Sequence, residues 1–189
     1  MRHANAIFQH RSRVEVLRVD FFYTPKAAKD VTPQEAKKDF FRLLRNRRAN
    51  KTLFGGMLGY IWKLEYGGYG RGFHFHTVFF YDGAEIYRDA YRADLLGKYW
   101  VDNTGSRGQF HNCNRDKRKY KHLGIGRIQR DEMDKRLNLA RVLQYLTKKD
   151  YCFGPEITAG RVFGTGADPA PNLTGVGRPV SSTKRNRAT

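Results

Sequence analysis

The order of the predicted elements places this chain in the α+β class, with a mostly antiparallel sheet and helices packed on it. The elements run strand, helix, hairpin, helix, short strand and helix. The strand segments are rich in aromatic and β-branched residues, whereas the helical segments carry apolar residues at helical spacing. At 189 residues with 40% hydrophobic content, the chain is long enough to bury one core, so we expect one domain.

The first two elements carry clear boundary signals. Residues 14–23 read VEVLRVDFFY and predict a strand that ends at Thr24-Pro25. Thr32 then predicts a helix cap, with Pro33 in the first helical position and Glu35 three residues after the cap. The apolar spacing of this helix continues to about residue 46.

From residue 82 onward, the sequence predicts a helix, a long loop, a short strand and another helix. A helix is expected over residues 82–97, because an acidic start precedes an apolar pattern. Residues 101–124 are rich in Gly, Asn and basic side chains, which predicts a long loop with one short strand and groups suited to phosphates and bases. Another short strand is expected at 125–129 and a third helix at 131–149.

The net charge of +18 and the pI near 10.2 favour a polyanionic partner, with nucleic acid ahead of a membrane surface. No apolar run is long enough to span a bilayer, and the N-terminus lacks the apolar core of a secretory signal. The two cysteines, Cys113 and Cys152, form no CxxC pair, so neither a disulfide framework nor a zinc ribbon is indicated. Because disulfide frameworks are typical of secreted proteins, a cytoplasmic protein is expected. We expect a loose basic arm at residues 1–12, a folded domain at 13–166 and a disordered basic tail at 167–189.

A predicted β-hairpin is the most informative stretch of the chain. Two β-like runs, residues 60–66 and 73–81, flank a glycine-rich connection. The second run contains His74 and His76, and alternation along a strand places both imidazoles on the same face.

The register of this hairpin adds a carboxylate. If the turn is centred on Tyr69 and Gly70, Glu65 lies directly opposite His74. Opposed residues share a face, with Cβ atoms roughly 4.5–5.5 Å apart. Glu65, His74 and His76 are therefore predicted to form a divalent-metal site.

The third helix supplies a candidate nucleophile. Its apolar stripe consists of Leu139, Val142, Leu143 and Leu146. Tyr145 falls beside this stripe, and Lys148 follows at i+3. A phenol with a pKa of about 10 needs a cation or a metal to become a good nucleophile at neutral pH. Together with a metal that withdraws charge from a phosphodiester, these groups match a tyrosine that becomes covalently linked to DNA.

Each residue also has an ordinary interpretation. A tyrosine beside an apolar stripe usually packs with its hydroxyl in water, and Glu65 alone is most often a surface acid. Tyr151 is a second possible nucleophile, but it lies about 240° round the helix from Tyr145, so a single active tyrosine is favoured. His111, Cys113 and His122 have irregular spacing and are interpreted as loop residues rather than zinc ligands.

These motifs resemble the HUH endonuclease superfamily, which is named for a His-hydrophobic-His motif. Here the motif is His74-Phe75-His76, accompanied by Glu65 and by Tyr145-Leu146-Thr147-Lys148. More narrowly, LFGGMLGYIWKLEYGGYGRGFHFHTVFFYDG, GKYW and LQYLTKKD are similar to the inovirus gene-II-protein-like family of prophages, the YagK/YfjJ C-terminal domain. The similarity extends over roughly residues 8–166.

The resemblance implies an RRM-like antiparallel sheet with a metal site on one face. His74, His76 and Glu65 would bind Mg²⁺ or Mn²⁺ there. Tyr145 would cut single-stranded or origin-hairpin DNA, keep the 5′ phosphate and leave a 3′ hydroxyl to prime synthesis, while Lys148 would assist at the phosphate. A host helicase and polymerase are implied as partners, because no helicase motif is found in the chain.

The leading hypothesis is therefore a nicking enzyme that initiates rolling-circle replication of a phage-like or prophage element. A single-tyrosine transposase is the alternative within the same superfamily. A non-catalytic, RRM-like protein that binds single-stranded nucleic acid is the alternative from a different class.

Overall fold

The strands form one antiparallel sheet in a computed structural model that describes residues 2–67, 72–147 and 160–169. Within these residues the strands are β1 Arg13–Tyr23, β2 Met57–Gly67, β3 Gly72–Asp82, β4 Gly108–Asn112, β5 Gly126–Gln129 and β6 Phe163–Thr165. Their order across the sheet is β4-β1-β3-β2-β6, and β5 pairs with the first part of β1. The protein is thus α+β with an RRM-like antiparallel sheet, as predicted.

The helices pack on both faces of the sheet. They are α1 Arg2–His10, α2 Pro33–Arg45, α3 Lys51–Phe54, α4 Asp89–Asn103 and α5 Met133–Thr147. The predicted cap of α2 is confirmed: the Thr32 hydroxyl accepts a hydrogen bond from the Glu35 N–H at 3.2 Å, and Glu35 Oε2 accepts one from the Thr32 N–H at 2.9 Å.

Alternation along the strands produces two hydrophobic cores. The first core joins one sheet face to α2 and α4 and includes Leu17, Val19, Phe21, Phe75, Phe79, Phe40, Leu43 and Trp100. The second core joins the opposite face to α1 and α5 and includes Val14, Val16, Val78, Phe80, Ile7, Phe8, Leu139 and Leu143. The even-numbered residues of β1 and β3 therefore share the face on which α5 packs.

The hairpin has the register that the sequence predicts. Glu65 pairs with His74, and Lys63 pairs with His76. The predicted turn at Tyr69 and Gly70 lies outside the described residues. A register shift occurs only at the far end of the described ladder, between Met57 and Gly59, so it does not disturb the pairs near the turn.

The expectation of a loose arm at residues 1–12 is wrong. Residues 2–10 form α1, which buries His3, Ala4, Ile7 and Phe8. The apolar residues at helical spacing dock this short helix on the second core, and burial stabilises it where helix propensity alone would not. Residues 170–189 of the predicted tail lie outside the described residues, and the division at residue 166 stays a prediction.

The helix predicted at residues 82–97 begins and ends later than expected. Asp82 is still part of β3, where it pairs with Val14, and its Oδ1 accepts a hydrogen bond from the Ala84 N–H at 2.8 Å. The acidic residue therefore stabilises a turn rather than capping a helix, and α4 starts at Asp89. The predicted short strand within 101–124 is confirmed as β4, and the strand predicted at 125–129 as β5.

Candidate metal centre and nucleophile

The hairpin brings Glu65, His74 and His76 together on one face of the sheet. One ligand atom from each residue lies within 4.8 Å of the others. Glu65 Oε2 is 3.1 Å from His76 Nε2 and 3.4 Å from His74 Nε2. The side chains are 18%, 19% and 14% exposed for Glu65, His74 and His76, so solvent and a ligand can reach them.

Both imidazoles direct Nε2 toward the Glu65 carboxylate, because other oxygens contact their Nδ1 atoms. His74 Nδ1 lies 3.2 Å from the Gly72 carbonyl oxygen. His76 Nδ1 lies 2.9 Å from Asp20 Oδ1, a close electrostatic contact that is not aligned as a hydrogen bond. Carbonyl or carboxylate partners at Nδ1 are the usual support for histidines that bind metal through Nε2. Two Nε2 atoms and one carboxylate therefore fit a divalent cation.

The charges around His76 favour its protonated form when no cation is bound. Burial alone would lower the pKa of His76, but Asp20 and Glu65 outweigh burial and raise it to about 9. Burial alone would raise the pKa of Asp20, but His76 and Arg18 hold it below its usual range. Lys63 Nζ lies 2.6 Å from Glu65 Oε1, so the two oxygens of Glu65 face different cationic groups. Cation binding requires the Nε2 proton of His76 to leave.

Asp20 is a site residue that sequence reasoning missed. It comes from β1 and pairs with His76 across the ladder between β1 and β3. The available signal was the presence of Arg18 and Asp20 at alternate positions in a segment, residues 16–23, whose other side chains are aliphatic or aromatic, which places two charged groups on one face. The pairing of β1 with β3 determines that this face is the one with the histidines.

Tyr145 lies on α5 over the same face of the sheet. Leu139, Leu143 and Leu146 are buried in the second core, whereas Tyr145 is 53% exposed. The Arg18 guanidinium carbon is 5.8 Å from the centre of the Tyr145 ring, and Arg18 also neighbours Asp20. The predicted nucleophile is therefore joined to the His76 region through two charged side chains of β1. Lys148 and Tyr151 lie outside the described residues.

The cluster of Glu65, His74 and His76 includes none of the residues interpreted as loop side chains. His111 belongs to β4, where it pairs with Asp20, and its Nε2 is 4.0 Å from Asp116 Oδ2. Cys113 is buried with its Sγ 4.0 Å from Asp20 Oδ2, and burial, reinforced by Asp20, raises the pKa of its thiol to about 11. His122 Nδ1 lies 3.0 Å from an Arg141 nitrogen.

No helix within the described parts of the chain has the length and apolar character needed to cross a membrane.

Comparisons with curated proteins and with solved structures gave no match. A family model for the replication-associated proteins of the ORF2 and gene II protein type matches residues 21–150, a segment that contains the hairpin and the tyrosine motif. Because this match extends over well more than half of the chain, the protein belongs to the ORF2/gene II family of replication-associated proteins.

Proposed function

We propose that this protein is a metal-dependent endonuclease that nicks and rejoins single-stranded or origin-hairpin DNA and so initiates rolling-circle replication of a phage-like or prophage element. The observation that carries the proposal is the convergence of Glu65 Oε2 with the Nε2 atoms of His74 and His76 on the face over which Tyr145 lies. Membership in a replication-associated family supports the biological setting.

The metal ligands would be Glu65, His74 and His76, with Mg²⁺ or Mn²⁺ as the cation. Oxygen donors suit both ions, and imidazole suits Mn²⁺ in particular. A bound divalent cation would supply Lewis-acid withdrawal of charge from a phosphodiester oxygen. Asp20 would hold the His76 ring through its 2.9 Å contact with Nδ1.

Tyr145 would carry out a transesterification. Its phenol oxygen forms a bond to phosphorus while the bond between phosphorus and the 3′ oxygen breaks. The phenol loses its proton and the departing 3′ oxygen gains one, so the products are a 5′-phosphotyrosine and a free 3′ hydroxyl. The reverse reaction rejoins the strand without an external energy source. Lys148 would assist at the phosphate.

The DNA partner is supported by charge. The net charge of +18 concentrates polyanions near the protein, and several basic groups of the β4–β5 connection are well exposed. The Arg115 side chain is 67% exposed and that of Lys119 is 75% exposed. Host helicase and polymerase are the partners that rolling-circle synthesis from the new 3′ end would require.

The non-catalytic alternative receives less support from the sheet. RRM-type proteins stack bases on aromatic residues of an open sheet face. Here Phe21, Phe75 and Phe79 are fully buried in the first core, under α2 and α4. On the opposite face, the described residues near the turn include the two histidines and Glu65.

The test is incubation of the full chain with a pool of labelled single-stranded DNA, with Mn²⁺, with Mg²⁺ or with a chelator. We expect a covalent protein–DNA adduct in the samples with metal, and mass spectrometry of the DNA-linked peptide should identify Tyr145. DNA binding with no adduct under any metal condition would favour the non-catalytic alternative. Transfer of the bound strand between transposon ends, rather than replication from an origin, would favour a single-tyrosine transposase.

A further inference from the structure

A largely buried arginine side chain lies between the nucleophile helix and the candidate metal ligands. The Arg18 side chain is 13% exposed, and its Nε is 3.7 Å from Asp20 Oδ1. Its guanidinium carbon is 5.8 Å from the centre of the Tyr145 ring. Asp20 in turn contacts His76 at 2.9 Å. These contacts form a continuous path from Tyr145 to His76.

The backbone from which this side chain extends is held on both sides. The Arg18 N–H donates a hydrogen bond to Asn114 Oδ1 at 2.8 Å, and the Arg18 carbonyl accepts one from the Cys113 N–H at 3.1 Å. Asn114 is itself buried and donates to the Val16 carbonyl at 3.0 Å. The guanidinium is therefore directed by a rigid strand and the segment that follows β4, rather than by an exposed loop.

Arg18 does not form a hydrogen-bonded ion pair with Asp20 through its Nε. Its Nε has no hydrogen-bond acceptor among the described residues, and the 3.7 Å contact with Asp20 is longer than a hydrogen bond. By contrast, Arg127 pairs with Glu15 at 3.1 Å and donates to two backbone carbonyls. Burial of a guanidinium that is not fully paired is unfavourable, so a second role for Arg18 needs to be considered.

We propose that Arg18 is the positioning residue for the nucleophile: it holds the Tyr145 ring toward the metal ligands through a cation–π contact. This inference rests on the proposed role of Tyr145 in cutting DNA. An exposed tyrosine on a helix rotates freely about its side-chain bonds, and a cation at its ring restricts that rotation. The family model begins at residue 21, so Arg18 lies outside the matched segment.

The test compares Arg18→Met and Arg18→Lys with the wild-type chain. Arg18→Met keeps the apolar stem and removes the guanidinium, whereas Arg18→Lys keeps the charge and loses the planar group. The matched control is Arg136→Met on the helix that carries Tyr145, which removes an arginine that lies 4.9 Å from the Phe8 ring, away from Tyr145. The first readout is the single-turnover rate of adduct formation at saturating DNA and Mn²⁺. The second is the ¹⁹F resonance of fluorotyrosine placed at position 145, recorded without metal or DNA.

We expect Arg18→Met to slow adduct formation about a hundredfold, as a misplaced reacting group does, with unchanged Mn²⁺ and DNA affinity. Arg18→Lys should restore part of the rate, and Arg136→Met should leave it unchanged. The ¹⁹F resonance should shift in Arg18→Met and stay in place in Arg136→Met. If Arg18→Met fails to fold, Arg18→Lys carries the same comparison.

Three results with the Arg18 variants would overturn the positioning role while leaving the proposed function intact. These are a wild-type rate in Arg18→Met, a rate loss explained by weaker Mn²⁺ binding, and an unchanged ¹⁹F resonance. An equal rate loss in Arg136→Met would also overturn it, because general docking of α5 would then explain the effect. Absence of an adduct from the wild-type chain is a separate outcome, which overturns the proposed function and the role of Arg18 in it.

Discussion

Replacement of Tyr145 by Phe separates the chemistry of this residue from its packing. The phenyl ring that lies 5.8 Å from the Arg18 guanidinium carbon is retained, and only the hydroxyl is lost. Because Tyr145 is 53% exposed, water can satisfy that hydroxyl in the folded protein, and its removal leaves no buried group unpaired. The cation–π contact, worth about 0.5–1 kcal/mol, should survive in the variant.

The expected cost in stability is therefore small. A surface substitution of this kind changes the free energy of unfolding by less than about 0.5 kcal/mol. For a chain of this size, that corresponds to a shift in melting temperature of less than about 2 °C. Adduct formation, by contrast, should be lost completely, because the missing oxygen is the atom that would bond to phosphorus.

The assay follows labelled DNA that stays attached to the protein after denaturation, together with the melting temperature and the DNA affinity of each variant. Tyr91→Phe is the matched control, since Tyr91 is a helical tyrosine with 60% exposure and lies outside the candidate site. Tyr91→Phe should form the adduct at the wild-type rate. An adduct on Tyr145→Phe, or a DNA-linked peptide that maps to Tyr151, would refute the assignment of the nucleophile.

Other predictions test the metal site, the second core and the charge. His74→Ala and His76→Ala should each abolish cutting at low Mn²⁺ and restore part of it at high Mn²⁺. A titration of adduct yield against Mn²⁺ concentration measures this recovery. Tyr145→Phe should not regain cutting at any Mn²⁺ concentration. Leu143→Ala should lower the free energy of unfolding by about 2–5 kcal/mol in urea denaturation, because Leu143 is buried at 3% exposure in the second core. The affinity for nonspecific DNA should fall steeply with salt in a binding titration, because a chain of charge +18 displaces condensed counterions.

Each of these predictions has a result that contradicts it. Full cutting by His74→Ala without added metal would argue against that residue as a ligand. Leu137→Ala on the same helix is the control for Leu143, since Leu137 is 54% exposed, and an equal loss of stability in both variants would show that α5 is sensitive to any truncation. DNA affinity that does not change with salt would indicate that base stacking, rather than charge, dominates binding.

The geometry of the candidate metal ligands could be predicted because it depends on local rules. Alternation along β3 puts His74 and His76 on one face, and an even-numbered turn puts Glu65 opposite His74. The capping box at Thr32 and Glu35 is equally local, since its hydrogen bonds join residues three apart. Short-range patterns of this kind have few alternative arrangements.

Other features depend on packing between distant segments. A nine-residue helix such as α1 has marginal stability by itself in water. It forms because Ile7 and Phe8 pack into a core that includes strand residues far along the chain. Asp82 has the composition of a helix start but stays in β3, because Val14 of β1 is available to pair with it. Tertiary contacts decided both outcomes against the local signal.

The sequence by itself determined the candidate ligand triad and the apolar stripe that leaves Tyr145 at the edge of its helix. Only the tertiary structure decided that β1 pairs with β3, which places Asp20 beside His76, and that α5 docks with Tyr145 near Arg18. The physical reason is that alternation specifies which residues share a face, whereas the choice of neighbouring strand and helix depends on how all the apolar faces are buried together.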